Sequence, residues 1–227
     1  MKLLLLELAN RLKQERKTHV LTLNPEMLML ARRHPEFMEV AKQADIITAD
    51  GIGIALAVRF LRGKAIPRLP GIDIAERLLA FCEAQGISVY LLGATPSAVE
   101  QACQNLKLQF PKLKIVGYHH GYFQGEEEKV IDDIQRKAPK VLLVGMGAPH
   151  QENFIVRTRD RLPCVLMMGV GGSFDIWARR IKRAGNLVRR MGLEWLYRAF
   201  QDKSRWKRLA FIPSFILLVI SAKLRGS

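Results

Sequence analysis

Acidic residues are scarce in this chain of 227 residues: 21 Asp and Glu stand against 36 Lys and Arg, a formal net charge of +15. Cysteine is scarcer still, at three. Cys82, Cys103 and Cys164 sit in apolar or helical runs with no CxxC or Cys/His spacing, which excludes a disulfide framework and a zinc knuckle and fits a reducing compartment. No apolar run reaches the roughly 20 residues that a membrane-spanning helix needs. The longest, Leu209 to Ala222, has fourteen and contains Pro213, so it is expected to lie in or on a membrane rather than cross it. Met1 to Leu8 is interrupted by Glu7 and followed by no small-residue cleavage site, unlike a signal peptide. Internal repeats and low-complexity segments are absent. With 49% hydrophobic and 25% charged residues, the composition is that of a chain with a packed core.

The positive charge is uneven. From Ile176 to the end there are thirteen Lys and Arg against Glu194 and Asp202, so this tail carries +11 while the first 175 residues are nearly balanced. A basic tail on a near-neutral body points to an anionic surface. Its charges are interleaved with aromatics, Trp195, Tyr197, Phe200, Trp206, Phe211 and Phe215, as at a membrane interface. Arg198, Arg205 and Arg208 share one helical face. The same interleaving suits RNA, but the apolar run after Pro213 suits only a membrane or another protein, so no nucleic-acid partner is expected.

Along the body, short apolar strands alternate with amphipathic helices. Strands are predicted at 20–23, 44–48, 87–92, 113–118, 141–144 and 165–168. Helices are predicted over 3–17, 26–33, 54–61, 72–85, 96–110, 125–137 and 152–161. Continuous apolar strands alternating with helices indicate an α/β fold, a Rossmann-like, mostly parallel sheet with helices on both faces. Ile66-Pro67-Arg68-Leu69-Pro70-Gly71 is a two-proline loop. After Asp175 the alternation stops, and three basic amphipathic stretches follow, Ile176 to Met191, Leu193 to Lys203 and Trp206 to Leu224. We divide the chain into a catalytic domain, 1–180, and a helical basic appendage, 181–227.

The chemistry gathers at strand ends. Asp45 to Gly53 is a strand tipped by Asp50 and glycines, the place where open α/β sheets put their chemistry. Two further strands end in glycine clusters, Gly145/Gly147 and Gly169/Gly171/Gly172, where backbone amides and a helix N-terminus favour phosphate. Neither cluster is a Walker loop or a complete dinucleotide fingerprint. The same turns deliver Thr22, Asn24, Arg68 and Gln151. A carboxylate, a guanidinium and neutral hydrogen-bonders suit a sugar nucleotide, with Asp50 taking a proton from an attacking hydroxyl and Arg68 neutralising a diphosphate. Each has a structural alternative: Asp50 and Asn24 as helix caps, Thr22 as a strand residue, Arg68 as a solvated charge, Gln151 as a first-turn helix residue, and the glycines as turn geometry alone. His119 and His120, if both on a strand, point to opposite faces, and no HExxH or cysteine cluster is present, so no metal and no cofactor is expected.

Thr22-x-Asn24-Pro25-Glu26, Ala49-Asp50-Gly51-Ile52-Gly53, Arg68-x-x-Gly71-x-Asp73, Gly145-x-Gly147-x-Pro149-x-Gln151-Glu152 and Gly169-Val170-Gly171-Gly172-x-Phe174-Asp175, then Lys182-Arg183-Ala184 and Gly192-Leu193-Glu194-Trp195-Leu196-Tyr197-Arg198, stand in that order. Together they resemble the WecG/TagA/CpsF family of bacterial glycosyltransferases, over residues 18 to 210. The resemblance implies metal-independent transfer of N-acetylmannosamine, or a related sugar, from a UDP donor to an undecaprenyl-diphosphate-linked acceptor, with a β-linked product. It implies that Asp50 is the general base and that Thr22, Asn24, Arg68 and Gln151 line the site. Arg198, Arg205 and Arg208 are implied to complete it at the inner face of the cytoplasmic membrane. Three positions depart from the family pattern. A strand expected before residue 18 is missing, Gly185 replaces a usual proline, and His150 stands where a basic residue is common. The competing reading is a non-catalytic nucleotide-binding module tethered by its basic tail. The donor sugar, the polymer pathway and homo-oligomer formation stay open.

Overall fold

In a computed structural model the described residues are 1–192, 194, 196–197 and 210–226. Six strands form one all-parallel open sheet: β1 (Thr18–Leu23), β2 (Ile46–Ala49), β3 (Ser88–Gly93), β4 (Lys114–His119), β5 (Val141–Gly145) and β6 (Leu166–Gly169), in the order β2-β1-β6-β5-β3-β4. The sheet is therefore the expected α/β fold with helices on both faces. Where the resemblance led us to look for a strand before residue 18, the chain forms helix α1 (Lys2–Lys13).

One face is covered by α1, α5 (Gly71–Gln85), α6 (Pro96–Gln109) and α9 (Ser173–Trp177), which bury Val20, Leu91, Leu143 and Met168 against Leu78 and Phe174. Over the other face, α7 (Glu127–Lys137) and α8 (His150–Thr158) cover Tyr90, Leu92 and Val144. On the same side α2 (Pro25–Arg33) and α3 (Pro35–Lys42) cover Leu21. With both faces closed, the central strands β3 (from Val89), β5 and β6 are buried and apolar throughout, which is why they read as unbroken runs rather than alternating ones.

Beyond β2, α4 (Ile52–Arg62) packs with the C-terminal helix α11 (Ile212–Leu224), where Ile54 and Phe215 share a small core with Ala49. The outward sides of this pair leave Leu56, Phe60, Ile216, Leu217 and Ile220 exposed, Leu217 by 66%. Lys223 lies over the Phe60 ring and donates to Leu61 O at 3.3 Å, so a cation rims this apolar surface. Among the described residues no helix is long and apolar enough to cross a membrane.

Several boundaries differ from the sequence reading. The stretch Ile176 to Met191 is not one helix. The helix starts earlier, at Ser173, and ends at Trp177, because Arg179 takes φ +58° and the N–H groups of Arg180 and Ile181 both turn back to Asp175 O. A short α10 (Asn186–Arg190) follows. Helix α8 stops at Thr158, three residues before the expected end. The eight-residue α3, begun by His34-Pro35, was missed because Pro35 interrupts an otherwise helical stretch.

Past residue 180 the chain is held to the body by Arg183. Its guanidinium pairs with Asp73 and Glu76 of α5 and lies 3.8 Å from Glu194.

Candidate active site

The carboxyl ends of β2, β1, β6 and β5 are consecutive neighbours, and the turns that follow them form one edge. The chain leaves β1 towards β2 but leaves β6 towards α6, against which α9 packs on the β3 side. The β1–β6 seam is thus the sheet's switch point, where two diverging connections open a crevice.

On the β1–β2 side, backbone hydrogen bonds place two of the expected residues and packing against α5 a third. The Asp50 N–H donates to Leu23 O at 2.8 Å, which holds the tip of β2 against the end of β1. The Leu69 N–H donates to Ala49 O at 2.9 Å, which lays the two-proline loop along β2 and sets Arg68 beside Asp50. Gly71 opens α5 against Thr22, whose Oγ1 would lie 3.0 Å from a Cβ at that position. Thr22 is buried, its hydroxyl 3.5 Å from Gly169 O. Arg68 is half-buried and makes no hydrogen bond or ion pair among the described residues, a cation with its charge available. Asp50 is half-buried and does not cap α4, whose N-cap is Gly51 at φ +90°. Asn24 does cap α2: its Oδ1 accepts from Met27 N–H at 2.9 Å.

On the β6–β5 side, the glycines divide by role. Gly145 is pressed against the Phe174 ring, where a Cβ would stand 2.3 Å from the nearest ring carbon, so its missing side chain serves packing. Gly147 and Gly171 take φ +75° and +50° and have open space where a side chain would be. Gly172 is the N-cap of α9. Gln151 does not project from the edge. It is buried, and its Oε1 accepts from both Gly147 N–H at 3.2 Å and Gly171 N–H at 3.0 Å, bridging the two glycine turns. Its Nε2 donates to Glu152 Oε1 at 2.7 Å. Glu152 stands in the motif that carries the family resemblance but has no role assigned from the sequence, where its partner Gln151 is the adjacent residue. Burial holds its carboxyl above the usual range, with the Gln151 hydrogen bond opposing.

Other expectations resolve as follows. Thr95 stands at the N-cap of α6 without capping it; its hydroxyl accepts from Arg180 at 3.2 Å. The His119 and His120 rings lie 4.3 Å apart rather than on opposite faces, because β4 ends at His119 and His120 belongs to the turn. Among the described residues no group of three His, Cys, Asp or Glu could hold a metal ion. Arg198, Arg205 and Arg208 lie outside the described residues.

A doubly covered parallel sheet with Asp50 and Arg68 at the β1–β2 end of its carboxyl edge is a Rossmann-like α/β fold with a polar edge beside its switch point. Comparison with known proteins narrows the class. The Glycosyl transferase WecG/TagA/CpsF family matches residues 1–227, and the chain belongs to that family. Among its relatives are proteins of Staphylococcus aureus strains MW2 and NCTC 8325 / PS 47, each 37% identical over 204 residues, which is 90% of this chain and 80% of the relative. The protein of strain MRSA252 is 36% identical over the same span. All three are named N-acetylglucosaminyldiphosphoundecaprenol N-acetyl-beta-D-mannosaminyltransferase.

Proposed function

We propose that this glycosyltransferase moves N-acetylmannosamine from a UDP donor to the sugar of GlcNAc-diphosphoundecaprenol, by a single inverting displacement that uses no metal. The observation that carries the proposal is the placement of Asp50 and the unpaired Arg68 side by side at the β1–β2 end of the crevice. In this reading Asp50 accepts the proton of the acceptor hydroxyl as its oxygen bonds to the anomeric carbon. The bond from that carbon to the donor diphosphate breaks on the opposite face, and UDP leaves with the electron pair. Arg68 offsets the charge that develops on the diphosphate. Thr22 and Asn24 orient the sugar. The two glycine turns shape the donor end, with Gln151 behind them. The printed names of the staphylococcal relatives support this donor sugar and this acceptor.

The residues from 181 onward form, in this reading, an appendage that brings the edge to the inner face of the membrane, where the lipid-linked acceptor resides. The +11 tail charge and the exposed apolar side chains of α4 and α11 support it, since a bilayer with anionic headgroups takes up both.

The test is acceptor-dependent UDP release from UDP-N-acetylmannosamine and a GlcNAc-diphospholipid, with and without chelator. Asp50→Asn is expected to lower kcat by about 10²–10⁴-fold, the range for losing a general base, with donor binding kept. Full turnover in Asp50→Asn would refute the assignment of the base. Binding of UDP without turnover of any donor would leave the nucleotide-binding module as the better reading.

A further inference from the structure

We propose that Glu152 is a positioning residue, whose buried carboxyl sets the orientation of the Gln151 amide and so keeps the two glycine turns tied together. Glu152 is 1% exposed and Gln151 4%, on the first turn of α8 and directly over Gly169, where a Cβ would stand 2.5 Å from Gln151 Nε2 and 3.1 Å from Glu152 Oε1. A glutamine side chain has two ends of opposite polarity, and either could in principle face the turns. The groups of the turns that reach the Gln151 side chain are both donors, Gly147 N–H and Gly171 N–H. The acceptor end must therefore face them and the NH₂ end must face away. Glu152 Oε1 supplies the acceptor for that NH₂ group. Flipping the amide would set its NH₂ against two N–H groups and its carbonyl against a carboxyl oxygen, losing three hydrogen bonds in a buried place. The carboxyl therefore acts as a polarity key.

The arrangement costs something. Glu152 Oε2 is buried without a partner, a polar atom that an apolar side chain of similar size would spare the protein. Leucine would spare that oxygen but would leave Gln151 Nε2 buried without an acceptor. Retaining a half-satisfied carboxyl here makes sense if the orientation of Gln151 matters to the edge that it closes. That last step rests on the proposed glycosyl transfer, whereas the orientation itself does not.

Two measurements separate these layers. In the full-length protein, amide exchange at Gly147 and Gly171 is compared for wild type, Glu152→Leu and Glu152→Gln, alongside thermal unfolding. Removing one buried hydrogen-bond partner changes an equilibrium by roughly ten- to hundredfold. Glu152→Leu is therefore expected to speed exchange at these two amides by about that factor, with an unfolding temperature close to that of wild type, since the oxygen spared and the donor stranded offset each other. Glu152→Gln, which keeps an acceptor for Gln151 Nε2, is expected to exchange like wild type. In the UDP-release assay, kcat/KM for the donor should fall in Glu152→Leu and return to within about threefold of wild type in Glu152→Gln. Unchanged exchange in Glu152→Leu overturns the proposal. So does faster exchange spread over the whole sheet in step with a lowered unfolding temperature, or a Glu152→Gln variant as impaired as Glu152→Leu. If wild type turns over no donor, the functional reading fails, and the exchange pattern still decides the role of Glu152.

Discussion

Gly145 separates two reasons for a glycine at a strand end, and a double substitution distinguishes them. If the residue is bare for a ligand, neighbouring side chains have no say. If it is bare for Phe174, enlarging one is relieved by trimming the other. A methyl group at 145 would stand 2.3 and 2.4 Å from two Phe174 ring carbons and 2.8 Å from Gly171 O. These distances are well inside contact, and Phe174 is fully buried with its ring edge-on to Trp177, 5.4 Å between centroids. Overpacking of this kind costs about 1–3 kcal/mol, or about 2–4 °C of unfolding temperature per kcal/mol for a chain of this size. Phe174→Leu alone should cost about 1–2 kcal/mol. In the double variant the shorter side chain vacates the ring edge but not the Gly171 O contact, so most of the Gly145→Ala cost should be recovered, a coupling of about 1–2 kcal/mol. Urea unfolding of the four proteins gives the cycle, and UDP release follows the edge. Additive costs, within about 0.5 kcal/mol, would refute the packing account. A double variant that regains stability but no turnover would return Gly145 to the ligand.

Acid should weaken the fold through His19. Burial chiefly, with the Arg159 guanidinium adding and the Asp45 carboxylate opposing, pushes this histidine down to about 4 from 6.5. The folded chain thus holds it neutral while the unfolded chain takes up a proton below 6.5. Its contribution is neutral above that pH, and stability is lost progressively as pH falls from 6.5 towards 4, to a total of about 3 kcal/mol. The difference in unfolding free energy between wild type and His19→Leu, followed from pH 8 to 4, should show this slope; parallel curves would refute it. Burial pushes the Cys82 and Cys164 thiols up to about 12 and raises Cys103 as well. Ellman's reagent should therefore find no thiol in the native protein and all three in guanidinium, and rapid labelling of the native chain would contradict the buried placement.

The parts of this molecule that were legible in the sequence are those decided within a few residues. Asn24-Pro25 announces the start of α2, and Gly86 ends α5 in a left-handed turn, both local chemistry. Apolar strands announced a doubly covered parallel sheet, and Asp50 and Arg68 announced a polar edge. What could not be read there depends on partners far along the chain. That Gly145 answers Phe174 is a contact across 29 positions, and that Gln151 bridges Gly147 and Gly171 joins two separate turns. Thr95 has the composition of a cap, yet its hydroxyl is taken by Arg180, 85 positions away. The basic stretch from Ile176 has helical periodicity, but a local turn with Arg179 at φ +58°, closed by the Arg180 and Ile181 N–H groups on Asp175 O, breaks it at once, with no glycine to announce it.

The strand order has a consequence for how the protein is made. Strand β6 is the last of the six to leave the ribosome, yet it occupies the middle of the sheet, between β1 and β5. Until residue 169 has emerged, β2-β1 and β5-β3-β4 are two separate ribbons, each with an edge of backbone N–H and C=O groups that has no partner strand. The crevice does not exist in either of them. Insertion of one four-residue strand joins the ribbons, buries both edges and brings the Asp50 side of the site up to the Gln151 side in the same event. A nascent or truncated chain that stops short of β6 thus lacks the crevice and carries the open strand edges that promote aggregation. The crevice and protection from misassembly arrive together, when β6 joins the sheet.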